Sequence, residues 1–169
     1  MSKMDKEAFF CIFCKTGNET TVETFLKELG YTVISSLSER HIVKNGKTIK
    51  ENRYIIPGYV FFSNNGEPEW DKIMEGKYVH YPLKYSDNTK QLREYDMKFI
   101  QWLIRHNDGI KISKAIQIGT KIKVIDGPLK EYEGNIIKVN KRQKCVAVKI
   151  NTEGIINTIW LSYEYIKEK

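Results

Sequence analysis

Lys138, Lys141, Arg142, Lys144 and Lys149 fall within residues 138–149, a stretch with no Asp or Glu. Ammonium and guanidinium groups clustered without counter-charges suit contact with phosphate oxygens. Each phosphate neutralised makes affinity fall by roughly 0.7 to 0.9 log units per log unit of salt. Asn140 to Lys144 reads as the loop of a hairpin, and Lys130 stands in the turn before it. A solvated hairpin tip carries the same residue types, so the cluster has both readings. A second basic stretch, residues 38–53, holds Arg40, His41, Lys44, Lys47, Lys50 and Arg53 together with Glu39 and Glu51. It reads as a solvated loop, with Lys44, Lys47 and Arg53 as weaker nucleic-acid contacts.

Other chemistries find little support. Cys11-x-x-Cys14 has the spacing of a metal or redox pair, but it lies in the apolar run Phe9–Cys14. On a strand, positions i and i+3 point to opposite faces, so both sulfurs cannot meet one ion. Cys145 is far along the chain, and His41, His80 and His106 are scattered. There is no phosphate-binding Gly-rich loop, no HExxH and no GxSxG. No enzyme, metal or cofactor is expected.

The bulk numbers agree with a binding protein. The 169 residues carry a net charge of +7. Residues 1–88 hold 12 basic against 12 acidic side chains, residues 89–114 hold 6 against 3, and residues 115–169 hold 10 against 6. The basic excess therefore lies in the later half and favours an anionic partner. No run approaches the roughly 18 apolar residues of a membrane span. Three cysteines suit a reducing compartment. A cytoplasmic monomer without membrane contact is expected.

Elements to position these residues can be read along the chain. Phe9–Cys14 reads as a buried strand and residues 18–29 as a helix, with Val22, Phe25, Leu26 and Leu29 on one face and Gly30 as its stop. Residues 31–34 form a further strand, and residues 53–63 a strand pair or one bent strand around Pro57-Gly58. A short helix over 67–76 and a strand over 78–83 complete a β-α-β-β-α-β order. Residues 90–106 read as an amphipathic helix with Leu92, Tyr95, Phe99, Trp102 and Leu103 on one face. From residue 119 onward, short strands over 121–125, 134–140, 144–150 and 155–161 fit a small SH3-like barrel. Asp126-Gly127-Pro128 is turn chemistry before one of them, and Gly134 marks a bend or close approach.

The segment from Val124 to Ile137 resembles the KOW motif. Together with Phe9–Glu19, with Ile56-Pro57-Gly58-Tyr59-Val60-Phe61-Phe62 and with the closing Ile159–Tyr163, it resembles the NusG family of transcription elongation factors over nearly the whole chain. The resemblance implies an α+β NGN domain at 1–106, with a four-stranded antiparallel sheet and packed helices. A linker at 107–118 and an all-β, SH3-like KOW barrel at 119–169 follow. Within the family, Asp96–Arg105 and Gly109–Lys114 look like the connector of LoaP-type antiterminators, a specialised branch. The connector helix also reads simply as packing on the first domain.

The resemblance also implies partners. NGN domains of the family dock on the β′ clamp helices of RNA polymerase through an apolar patch, which by motif position is Phe13, Tyr59 and Phe61. The alternative is that all three are core. Lys15 and Thr16, in the turn after the first strand, match positions near non-template DNA in some relatives. A LoaP-like protein reads a nascent RNA hairpin, here through Lys130, Lys138, Asn140, Lys141, Arg142 and Lys144. A general elongation factor of this family uses its KOW domain on NusE or Rho instead. A ribosome-associated KOW protein is the third reading.

Overall fold

The computed structural model describes residues 7–166. Its strands are β1 (Glu7–Cys14), β2 (Thr32–Ile34), β3 (Leu37–Lys44), β4 (Lys47–Tyr54), β5 (Tyr59–Asn65), β6 (Val79–Pro82), β7 (Ser113–Ile118), β8 (Lys121–Asp126), β9 (Ile136–Asn140), β10 (Cys145–Lys149) and β11 (Thr158–Tyr165). Its α-helices are α1 (Glu19–Glu28), α2 (Trp70–Met74) and α3 (Glu94–Arg105), and a 3-10 helix spans Pro128–Asn135. The chain forms two compact units. One comprises residues up to Ser36, Ile56–Arg105 and Thr152–Ile155; the other comprises Leu37–Ile55, His106–Asn151 and Ile156 onward. Residues 1–6 and 167–169, at the outer ends of the two expected domains, lie outside the described residues.

The first unit is built on an antiparallel sheet in the order β2-β5-β1-β6. One face carries Phe10, Ile12, Cys14, Val60 and Phe62, packed with Val22 and Leu26 of α1 and Ile73 of α2. Phe61 and Cys11 pair on the other face, where Phe61 meets Phe99 of α3 with centroids 6.1 Å apart. A strand covered on both sides reads as an unbroken apolar run, which is why Phe9–Cys14 shows no alternation. The helix faces are slightly rotated from those expected. Leu29, which caps the C-terminus of α1, is exposed; in α3, Tyr95 is exposed while Asp96 and Ile100 are buried. Asp96 is drawn inward by polar partners: it accepts hydrogen bonds from the Tyr85 hydroxyl at 2.5 Å and from the backbone N–H groups of Glu153 and Gly154 at 2.9 and 2.8 Å.

The second unit holds a five-stranded sheet in the order β8-β7-β11-β10-β9, with β7 and β11 parallel and the other pairs antiparallel. Its edge strands β8 and β9 line one cavity of about 390 Å³, so the sheet curls on itself. Gly127 adopts φ +109°, and a Cβ there would sit 2.6 Å from the Ser113 hydroxyl oxygen. That oxygen accepts the Leu129 N–H at 2.9 Å, which fixes the start of the 3-10 helix. Gly134 does not behave as expected. It lies inside the 3-10 helix, with no atom close to where its Cβ would stand and no positive φ.

Two stretches are more ordered than the sequence suggested. Residues 38–53 are not a loop but the arms of a hairpin, β3 and β4, in register from Leu37 and Tyr54 to Lys44 and Lys47. Asn45 and Gly46 close it with φ +53° and +76°, the positive values a two-residue type I′ turn requires. The expected linker over 107–118 also acquires structure. Ile110 bridges to Ser38, the Ile112 N–H reaches the Glu39 carboxylate at 3.1 Å, and 113–118 form β7.

Candidate functional site

Phe13 faces Tyr59 on one side and Tyr81 on the other in the registers of β1 with β5 and β6. Ring centroids lie 4.7 Å apart for Phe13 and Tyr59, and 5.0 Å apart for Phe13 and Tyr81. Phe13 and Tyr59 are half-buried, and Tyr81 is 60% exposed. The three rings form a row across the end of the sheet. Phe61 does not join it as a surface residue: it is 1% exposed, covered by Phe99. Its contribution is to support Tyr59, 6.2 Å away. No motif marks Tyr81; only the register of β1 against β6 places it beside Phe13.

The turn that carries Tyr59 is held by Glu19, a buried carboxylate at the start of α1. One oxygen accepts the Gly17 N–H at 2.7 Å and the other the Gly58 N–H at 2.8 Å. Gly58 has φ +84°, and a Cβ there would crowd the Cys14 carbonyl and the Thr16 hydroxyl, both at 3.3 Å. Glu19 thus ties the turn after β1 to the turn before β5. No sequence signal marks it, because a glutamate in a first helical turn is ordinarily solvated. Lys15 and Thr16 lie exposed in the same turn, with the Lys15 ammonium 5.8 Å from the centre of the Tyr78 ring.

The expected RNA-binding residues divide into four places. Asn140, Arg142 and Lys144 line a groove of about 650 Å³ whose other wall is the β3–β4 hairpin, with Arg40, His41 and Arg53. Lys138 lines the separate cavity between β8 and β9. Lys130 is occupied locally, donating to the Val124 carbonyl oxygen at 2.9 Å. Lys141 is exposed in the turn, and Lys44 and Lys47 flank the hairpin tip; none of these three lines the groove. The β9–β10 turn is braced by the Gln143 N–H donating to the Asn140 side-chain oxygen at 3.0 Å.

The thiols are buried. Cys14 belongs to the core beneath α1 and α2, and Cys11 faces the opposite side of the sheet. Burial pushes the Cys11 thiol well up and that of Cys14 up to about 11, and it also raises Cys145. Among the described residues, no group of three or more His, Cys, Asp or Glu side chains could hold a metal ion. No helix among them is long and apolar enough to cross a membrane.

A family model described as transcription termination factor nusG matches residues 7–101, more than half of the chain. The chain belongs to the NusG family. Similar proteins include the transcription termination/antitermination proteins NusG of Rickettsia typhi and Rickettsia felis. Each is 23% identical over 128 residues, which is 75% of this chain and 67% of the relative. A solved structure described as domain interaction in Thermotoga maritima NusG aligns with a TM-score of 0.52 at 17% identity. It covers 95% of this chain and 96% of that one, and at that identity it speaks for the fold alone. NusG proteins are transcription factors rather than enzymes, and this chain is a NusG-type termination/antitermination factor.

Proposed function

We propose that this NusG-family protein is an antitermination factor that binds RNA polymerase through its first unit and a nascent RNA hairpin through its second, serving particular operons in the manner of LoaP-type factors. The Tyr59–Phe13–Tyr81 row carries the polymerase half of this reading. It is an apolar patch on a rigid sheet, backed by Phe61 and with its turn pinned by Glu19, and it suits a helical partner such as the β′ clamp helices. The five-stranded sheet of the second unit acts as a KOW barrel, and its basic β9–β10 turn supplies the RNA contacts. Non-template DNA lies within the reach expected of Lys15 and Thr16. No bond is made or broken; the factor shifts the populations of paused and elongating polymerase.

Binding of the full chain to hairpins from the leader of its neighbouring operon, against shuffled hairpins and across a salt series, tests this reading. Preference for one hairpin, together with loss of read-through in Phe13→Ala and Tyr81→Ala, is the expected result. Salt-labile binding that ignores hairpin identity, with read-through intact, leaves a general elongation factor whose KOW domain contacts NusE.

A further inference from the structure

The β3–β4 hairpin and the β9–β10 turn belong to the same compact unit and enclose one groove between them. Five of its lining side chains are basic or imidazole: Arg40, His41, Arg53, Arg142 and Lys144. No carboxylate lines it, although Arg53 is paired outside with Glu51 at 2.9 Å. Two features set this groove apart from a merely basic surface. Arg40 is held in place, donating through Nη2 to the Trp160 carbonyl oxygen at 3.2 Å, yet its Nε is buried with no hydrogen-bond partner among the described residues. The same holds for His41 Nε2. Polar atoms buried without partners cost free energy, and such exceptions in a folded chain call for a reason. Burial lowers the pKa of Arg40 and of His41, with Lys144 and Lys50 adding to the effect on His41, against Glu164 and Glu39.

The second feature is Lys144 itself, at φ +53°. Glycine takes that conformation freely and lysine does not. Its carbonyl oxygen accepts the Tyr163 N–H at 3.0 Å, which holds the backbone there. A cation is therefore kept at a position whose local conformation favours another residue, and such exceptions concentrate at functional sites.

We propose that this groove is a two-walled site for the phosphodiester backbone of RNA, with Arg40 and Arg53 of the hairpin facing Arg142 and Lys144 of the turn across the strand. This rests on the RNA-binding reading above and moves its centre. Half of the contacts come from a hairpin outside the KOW-like sheet, while Lys130 and Lys138 take no part. The neutral imidazole of His41 and the amide of Asn140 supply the donor and acceptor that a ribose 2′-hydroxyl needs, which favours RNA over DNA.

The test uses the full chain and a fluorescent RNA stem-loop with a 12-base-pair stem, a DNA hairpin of the same sequence, and a salt series. Arg40→Gln and Lys144→Gly are compared with Lys44→Gln and Lys47→Gln, which remove equal charge from the hairpin tip. Lys144→Gly relieves the backbone while deleting the charge, so a binding loss there is not a folding loss. Each groove variant is expected to weaken RNA binding roughly five- to eightfold at 0.1 M salt and to lower the salt slope by about 0.7 to 0.9, with tip variants near wild type. Equal losses from groove and tip variants, or equal affinity for DNA, overturn the groove while RNA binding stands. Failure of the wild-type chain to bind RNA at all overturns the RNA-binding reading as well.

Discussion

Glu19 shows how a single side chain can set the geometry of a binding face from beneath. Its two oxygens accept two glycine N–H groups, and that of Gly58 would otherwise be buried without this partner. Replacing it by Gln keeps one acceptor and puts a donor where the other was. The expected cost is about 1–3 kcal/mol, read as a lower urea midpoint with unchanged slope. The thiols make a second prediction at this scale. Because Cys14 titrates at about 11 in the fold, against 9.0 without burial, the native chain holds that proton longer than the unfolded chain. Its contribution is therefore absent below pH 9 and lowers stability as pH rises from 9 toward 11. For the same reason iodoacetamide should label the native thiols slowly at pH 8 and label all three quickly in urea, as mass spectrometry would show.

Elements follow from sequence to different degrees, and the reasons are physical. The strand at Phe9–Cys14 was legible as an unbroken apolar run, the helices α1 and α3 by the period that burial imposes on their side chains, and the short strands after residue 119 by their spacing between turn residues. The hairpin at 37–54 was not legible. β4 is largely exposed and β3 mostly half-buried, and both are rich in polar residues, so no apolar alternation marks them, and only Asn45-Gly46 signalled the turn. The candidate site suffered from the same limit. Motif position pointed to Phe13, Tyr59 and Phe61 and left patch and core open for each; Phe61 proves to be core, because a sequence does not say which face of a strand a later helix will cover. Tyr81 enters only through the register of β1 against β6, and Arg40, one basic residue among several in 38–53, is singled out only by its packing. Phe99 is the side chain that takes Phe61 out of solvent. Phe99→Ala should cost about 3–5 kcal/mol, measurable by denaturation, by leaving a cavity over Phe61. Phe13→Ala, in a half-exposed row, should change stability far less and act on read-through instead.

For the whole molecule, two modest contacts on one chain act together. If the aromatic row holds polymerase and the basic groove holds RNA emerging from that polymerase, engaging the first raises the effective concentration of the second. Neither contact then has to be tight, and the groove, being electrostatic, remains sensitive to salt. The consequence is measurable in reconstituted transcription with full-length variants. On a template encoding the hairpin, Phe13→Ala and Lys144→Gly should each reduce read-through, and the double variant should lose the product of the two factors. On a template with the hairpin deleted, Lys144→Gly should match wild type while Phe13→Ala keeps its defect, because only the polymerase contact remains. A Lys144→Gly defect of the same size on both templates would mean that the turn serves polymerase rather than RNA.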